Sequence, residues 1–92
     1  MIKSWRHKGL KLFYETGSTA GIQPKHAKVL SILLLQLASS IQPEDMNTPG
    51  NGFHKLRGDL KDYYAVKVSR NWRLIFQFEG KNAILVDYID YH

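Results

Sequence analysis

The residues of this chain that are best suited to chemistry are the last three, Asp90, Tyr91 and His92. They follow the apolar run at residues 83–86, which has the character of a strand and would deliver them to the rim of a sheet. Asp90 and His92 share strand parity, so both side chains are expected on one face. A carboxylate that orients an imidazole suits proton transfer near neutral pH.

Two basic motifs lie upstream of these residues. One is His-Lys-Leu-Arg-Gly-Asp at residues 54–59, and the other is Asn-Trp-Arg-Leu at residues 71–74. Their cations could hold a phosphate while the terminal residues move protons. This combination is what RNA cleavage requires.

Each motif also has an ordinary structural explanation. A terminal histidine is often only an exposed residue, and Gly58-Asp59 is a turn signal that would make the first motif a strand end with solvated charges. Arg73 opens an otherwise apolar strand, where a charge is costly unless it is paired. Arg73 therefore either pairs with a carboxylate such as Asp90 or Asp87, or faces a ligand phosphate.

The net charge of +5 is concentrated between residues 53 and 73. The six cations of this segment are Lys55, Arg57, Lys61, Lys67, Arg70 and Arg73. Only two carboxylates, Asp59 and Asp62, oppose them, and Tyr63, Tyr64 and Trp72 are interleaved. Cations mixed with aromatic rings favour a nucleic-acid surface, while the alternative is a solvated face with the rings in the core.

Composition excludes several classes of function. The 92 residues contain no cysteine, which excludes disulfides, a thiol nucleophile and cysteine-ligated zinc. The four histidines lack metal-ligand spacing, and no glycine-rich phosphate loop is present, so we expect no metal and no cofactor. The longest apolar stretch, residues 32–38, is far short of the ~20 residues that span a bilayer. Without a signal-peptide pattern at the N-terminus, we expect one cytoplasmic domain over residues 1–92.

The positions of apolar residues predict the elements that carry these groups. A short strand at residues 2–5 precedes a helix that begins near Lys8 and ends at Gly17, and a second helix runs from Pro24 to about Ser40. A surface loop covers residues 42–52, and four strands follow. The first is a short strand at residues 54–57, and the last two are joined by a hairpin turn at residues 79–82. This order predicts an α+β fold with two N-terminal helices on one face of an antiparallel-rich, twisted sheet.

The second helix has a wider apolar stripe than one core face requires. The residues expected to face the core are Ala27, Leu30, Leu33 or Leu34, Leu37 and Ile41. The additional apolar residues at 32–35 indicate that the helix is either clamped between layers or partly covered by a partner.

Four segments of the chain, taken together, resemble the HigB toxins of the RelE superfamily. They are Met-Ile-Lys-Ser-Trp at 1–5, the 54–59 motif, Val-Ser-Arg-Asn-Trp-Arg-Leu-Ile-Phe at 68–76 and Asp-Tyr-Ile-Asp-Tyr-His at 87–92. The resemblance implies a microbial ribonuclease (RelE-like) fold and metal-free, ribosome-dependent cleavage of mRNA in the A site, by attack of a ribose 2′-hydroxyl on the adjacent phosphate. It also implies a HigA-type antitoxin with a helix-turn-helix domain, through which alone the toxin would meet operator DNA.

Transfer of the family's roles to this sequence gives a set of site residues. The expected active surface consists of His54, Arg57, Arg73, Asp90, Tyr91 and His92, and the residues expected to add RNA affinity are Lys55, Lys67 and Arg70. Relatives often carry lysine where Arg57 stands, and because arginine does not readily donate a proton, Arg57 is assigned to phosphate stabilisation. Some relatives have a basic residue at the position of Ser69, whereas here the cation is at Arg70.

Two other classes of function fit the same sequence. A non-catalytic module that binds RNA or the ribosome would use the same cations but would not depend on His92. A protein-interaction domain would use the leucine-rich second helix as its surface.

Overall fold

The chain folds as two helices followed by an antiparallel meander of four strands. The structure, a computed structural model, describes residues 1–91. Helix α1 spans Lys8–Thr16 and helix α2 spans Ala27–Ser39, with a 3-10 turn, Pro24–His26, directly before α2. The strands are β1 (His54–Lys55), β2 (Tyr64–Lys67), β3 (Trp72–Glu79) and β4 (Asn82–Asp90). Neighbours in sequence are neighbours in the sheet, in the order β1-β2-β3-β4. The predicted α+β architecture is confirmed.

Local hydrogen bonds explain where α1 begins and ends. The His7 side chain accepts a hydrogen bond from the Leu10 N–H at 2.9 Å, which satisfies one of the free donors of the first turn. At the other end Gly17 adopts φ +82° and donates its N–H to the Phe13 carbonyl at 2.7 Å. Because a side chain is strained in this left-handed conformation, glycine is favoured at this position, as the sequence predicts.

The main core lies between the helices and one face of the sheet. Its helical part is Leu10 from α1 with Leu30, Leu33, Leu34 and Leu37 from α2. Its sheet part includes Val66, Leu74, Phe76, Val86 and Tyr88, and Val68 joins it directly after β2. The prediction that Ile41 faces the core is wrong. Ile41 is 56% exposed because α2 ends at Ser39 and the chain leaves the helical stripe before reaching it.

The face of the sheet opposite to the helices, which we call the outer face, has a smaller apolar cluster. It consists of Leu56, Tyr63, Ala65 and Ile75. The segment between β1 and β2 supplies the first two, and it contains a 3-10 turn at Gly58–Leu60. The outer face is therefore covered only by a short connection, and the residues around the cluster remain accessible.

The predicted first strand, residues 2–5, is not a continuous strand. It runs parallel to β4 and makes two isolated bridges, Ile2 with Ala83 and Trp5 with Val86. Between the two bridges Leu85 has φ +53°, and its N–H bonds to the Ser4 hydroxyl rather than to a backbone carbonyl. This irregularity in β4 breaks the ladder that the N-terminal segment would otherwise extend.

The loop predicted at residues 42–52 is more structured than its sequence indicates. A 3-10 turn spans Pro43–Met46, and Met46 is fully buried in the main core. Asp45 closes this turn by accepting the Ile41 N–H at 2.9 Å. Strand β1 is shorter than the predicted 54–57 because the chain turns away after Lys55 and enters the 3-10 turn that begins at Gly58.

No helix among residues 1–91 is long and apolar enough to cross a membrane.

Candidate functional site

Strand register brings three of the predicted site residues together on the outer face. Lys67 and Arg73 are directly opposite each other in the pairing of β2 with β3, so their side chains leave the sheet on the same side. The guanidinium carbon of Arg73 lies 5.8 Å from the ring centroid of Tyr91, within the range of a cation–π contact. Two cations and a phenol therefore form one patch at the end of β3 and β4.

Arg73 is held in this patch by the turn that precedes it. Its Nη1 donates to the carbonyl oxygens of Ser69 at 2.8 Å, Trp72 at 3.0 Å and Arg70 at 3.2 Å. These contacts use one of the three guanidinium nitrogens, and arginine has five N–H donors in all. The half-buried charge is stabilised by backbone dipoles, a solution that the sequence did not suggest.

A pairing of Arg73 with Asp90, one of the alternatives that the sequence leaves open, does not fit the register. Asp90 lies opposite Trp72, and Arg73 lies opposite Ile89. Because directly opposed residues share a face, Asp90 leaves the sheet on the helix side and Arg73 on the outer face. The second predicted carboxylate, Asp87, is on the outer face opposite Ile75, where its Oδ1 accepts the N–H of Tyr88 at 2.8 Å.

The end of the predicted catalytic strand is only partly described. Asp90 and Tyr91 are both exposed, as expected for groups at a rim. His92, the predicted proton-transfer residue, lies outside the described residues, so its relation to Asp90 stays a prediction.

The first basic motif divides between the two faces. His54 is exposed on the outer face opposite Ala65, and its Nδ1 lies 2.7 Å from the Gly52 carbonyl oxygen as a hydrogen-bond partner. Lys55 lies on the helix side, with its ammonium 5.9 Å from the ring centroid of Tyr64. Arg57 is exposed at the start of the 3-10 turn. His54 therefore shares the face of the Arg73 patch, and Lys55 does not.

The sequence reasoning missed a second set of polar residues on the outer face. The Arg6 guanidinium donates to the Tyr63 hydroxyl at 3.2 Å. That hydrogen bond is the first cause that raises the pKa of Arg6, and the charge of Asp87 is a smaller one. The alternation of residues in the N-terminal segment could have indicated that the Arg6 side chain faces solvent. Only the three-dimensional structure shows that it contacts Tyr63.

The sequence also gave no indication of a cleft on the helix side of the turn at residues 69–72. Lys25 and His26 form one wall of this cleft, and Arg70 and Trp72 form the other. The two walls are more than forty residues apart in sequence, and no local pattern links them.

The geometry of the described residues suits electrostatic stabilisation of an anionic substrate. Lys67 and Arg73 can face a phosphate, and Tyr91 offers a ring and a hydroxyl. Among residues 1–91 no group of three histidine or carboxylate side chains is arranged to hold a metal ion.

Comparison with known proteins gives a consistent family assignment. Residues 3–92 match the sequence model of the RelE-like toxin of type II toxin–antitoxin system HigB. Over its full length the chain is 36% identical to Endoribonuclease HigB of Proteus vulgaris, all of which is covered. It is 32% identical to Toxin HigB-1 of Vibrio cholerae, of which 98% is covered.

Two solved structures are also similar in outline. YafQ of Escherichia coli is 19% identical with a TM-score of 0.49, over 96% of this chain and 91% of that one. The conserved hypothetical protein HP0894 of Helicobacter pylori is 15% identical with a TM-score of 0.47, over 96% and 94%. The family match and the two full-length relatives carry the assignment: the chain belongs to the HigB-like family of RelE-like toxins, whose partners in type II systems are antitoxins.

Proposed function

We propose that this chain is an endoribonuclease that cleaves mRNA in the ribosomal A site and thereby stops translation and growth. The observation that carries the proposal is the outer-face patch, in which Arg73 and Lys67 are cross-strand neighbours and the Tyr91 ring lies beside Arg73. The name of the Proteus vulgaris relative, Endoribonuclease HigB, supports the same reaction class.

In the proposed reaction a ribose 2′-hydroxyl loses its proton to a base and attacks the adjacent phosphorus. The bond from phosphorus to the 5′-oxygen breaks, and that oxygen takes up a proton. The products are a 2′,3′-cyclic phosphate and a 5′-hydroxyl. Negative charge accumulates on the phosphoryl oxygens in the transition state, and cations placed beside those oxygens lower the barrier.

We assign the roles as follows. Arg73 and Arg57 stabilise the phosphate, and His92 moves the proton with Asp90 orienting it. Tyr91 stacks on a base or donates a hydrogen bond, and His54 completes the active surface, while the residues that add RNA affinity are Lys55, Lys67 and Arg70. Because Arg73 and Asp90 leave the sheet on opposite faces, the substrate would lie across the end of β3 and β4 to meet both.

Membership of a type II toxin family implies an antitoxin partner and supports a more specific proposal. We propose a HigA-type antitoxin with a helix-turn-helix domain, which neutralises the toxin and carries it to operator DNA, and the 70S ribosome with its mRNA as the target. The site of action would be the cytoplasm.

The test combines growth with mapping of cut ends. Expression of the chain without its antitoxin should arrest growth, and primer extension on a reporter mRNA should show cuts within codons only when 70S ribosomes are present. Arg73→Ala should lower cleavage by about 100-fold or more, the range seen when one positioned donor is removed from an active site. Deletion of His92 should also relieve the arrest.

A matched control separates loss of the patch from loss of charge. Lys81 is an exposed cation in the turn between β3 and β4, at the other end of the sheet, and Lys81→Ala should keep full activity. Because Arg73 also holds the turn at residues 69–72, Lys67→Ala serves as a second variant, and it should lower cleavage without loosening that turn. Equal toxicity of all variants at equal abundance would refute the assigned site, and binding without cut ends would favour a non-catalytic RNA-binding module.

A further inference from the structure

A cleft of about 450 Å³ lies on the helix side of the sheet, against the turn that holds Arg73. We call it the His26 cleft. One wall is formed by Lys25, His26 and Val29, at the start of α2, and the other by Ser69, Arg70 and Trp72, from the turn between β2 and β3. The volume falls in the range of sites that take small organic ligands.

The inner end of the cleft is aromatic and rigid. The Trp72 ring stacks on Tyr88 at a centroid distance of 4.4 Å and meets the His26 ring edge-on at 5.8 Å. His26 is only 4% exposed, and burial lowers the pKa of its imidazole, so the ring is neutral at pH 7. Trp72 itself is only half-buried, so part of the indole remains available to a planar ligand.

The mouth of the cleft is cationic. Lys25 and Arg70 are both exposed, one on each wall, and Val29, a residue of α2, is 39% exposed. An aromatic surface flanked by two cations suits a base joined to a phosphate, because the ring stacks and the cations neutralise the phosphate.

The His26 cleft is joined to the proposed active surface by the turn at residues 69–72. On the outer side of that turn, Arg73 binds the carbonyl oxygens of Ser69 and Arg70, and the Tyr91 N–H binds the Asn71 carbonyl oxygen. On the helix side the same turn presents Arg70 and Trp72 to the cleft. An RNA strand that leaves Arg73 and crosses the turn would therefore meet Arg70 next.

We propose that the His26 cleft binds one nucleotide of single-stranded RNA next to the cleaved phosphate, with its base against Trp72 and its phosphate between Lys25 and Arg70. The proposal rests on the proposed function, since it names a further subsite for the same substrate. It assigns a binding role to Lys25 and Trp72 and a specific position to the affinity contributed by Arg70.

The two tryptophans of the chain, Trp5 and Trp72, allow a direct test. In the full chain with Trp5→Phe, Trp72 is the only tryptophan, and its fluorescence reports occupancy of the cleft. Titration with a single-stranded ribohexanucleotide should quench that fluorescence, and inorganic phosphate alone should not. Arg70→Gln and Lys25→Gln should each weaken binding severalfold. Because both cations hold the same phosphate, their combined loss should reduce the slope of log K against log salt by about 0.7, the contribution of one phosphate on a single strand.

Lys81→Gln removes the same charge far from the cleft and should change neither the affinity nor the salt slope by as much. Anisotropy of a labelled hexanucleotide measures total binding independently of Trp72. Binding that depends on Arg73 but leaves Trp72 fluorescence unchanged would overturn the cleft and leave the proposed function standing. An equal loss in Lys81→Gln would also overturn it, because the cations would then act only through net charge. Quenching that persists in a protein that never cuts ribosome-bound mRNA would instead refute the proposed function and keep the cleft.

Discussion

Removing the Tyr88 hydroxyl should destabilise the fold through the histidine that it leaves behind. Tyr88 and His26 are both 4% exposed, and the Tyr88 hydroxyl is hydrogen-bonded to His26 Nδ1 at 2.5 Å. His26 Nε2 is already buried and has no hydrogen-bond partner among the residues described. Tyr88→Phe therefore leaves an imidazole with neither nitrogen paired in the core. A buried polar group that loses its partner costs about 1–3 kcal/mol of unfolding free energy, which is the expected effect.

The same reasoning predicts that the two side chains are coupled. In the double variant His26→Phe with Tyr88→Phe, both partners are replaced by apolar groups of similar shape, a change that is close to neutral for the hydrogen bond. The double variant should therefore be less destabilised than the sum of the single variants, by about 1 kcal/mol or more.

Urea unfolding at pH 8 measures these free energies while His26 is neutral in both the folded and the unfolded chain. Tyr14→Phe is the matched control, because Tyr14 is 43% exposed and loss of its hydroxyl should change stability by less than about 0.5 kcal/mol. If the effects of the two single variants add within about 0.5 kcal/mol, Tyr88 and His26 are not coupled and the buried hydrogen bond contributes nothing beyond its separate members.

Two further predictions concern the start of α1 and the buried imidazole. A Cβ on Gly9 would overlap the carbonyl group of Gly21. Gly9→Ala should therefore lower the unfolding free energy by about 1–3 kcal/mol, although alanine is the better helix former. A variant that is more stable to urea than the wild type would contradict this close approach. Because burial lowers the pKa of His26 in the folded chain, the unfolded chain takes up the proton first, and stability should fall as pH drops below about 6.5, the unperturbed value. Urea midpoints between pH 8 and pH 5.5 should show this loss in the wild type and a smaller one in His26→Phe, and identical profiles would count against it.

Features that depend on neighbouring residues could be predicted from the sequence. Helix α1 ends at Gly17 because the residue that closes the helix adopts a left-handed conformation, which glycine favours. The hairpin at residues 79–82 follows from Gly80, which lies between two strands of alternating pattern. Helix α2 with its leucine core follows from periodicity alone.

Features that depend on register or on distant packing could not be predicted. The faces of Arg73 and Asp90 are set by which residues of β3 and β4 are opposed, and a shift of one residue would exchange them. Met46 is buried although it lies in a polar, proline-containing segment, because α2 and the sheet leave a space that its long side chain fills. The burial of His26 could not be predicted, because histidine is intermediate between the residue types that are usually buried and those that are usually exposed.

The irregular N-terminal segment has a consequence for how this sheet can associate with other chains. Residues 1–6 form hydrogen bonds with the backbone groups of Ala83 and Val86, along the edge of β4 that does not pair with β3. The carboxylate of Asp87 accepts the next N–H along the strand, that of Tyr88. At the opposite edge β1 is only two residues long. Short and occupied edges protect a sheet from strand-to-strand aggregation. A partner that added a strand at β4 would first have to displace residues 1–6. Faster amide hydrogen exchange in those residues would therefore report the binding of such a partner directly.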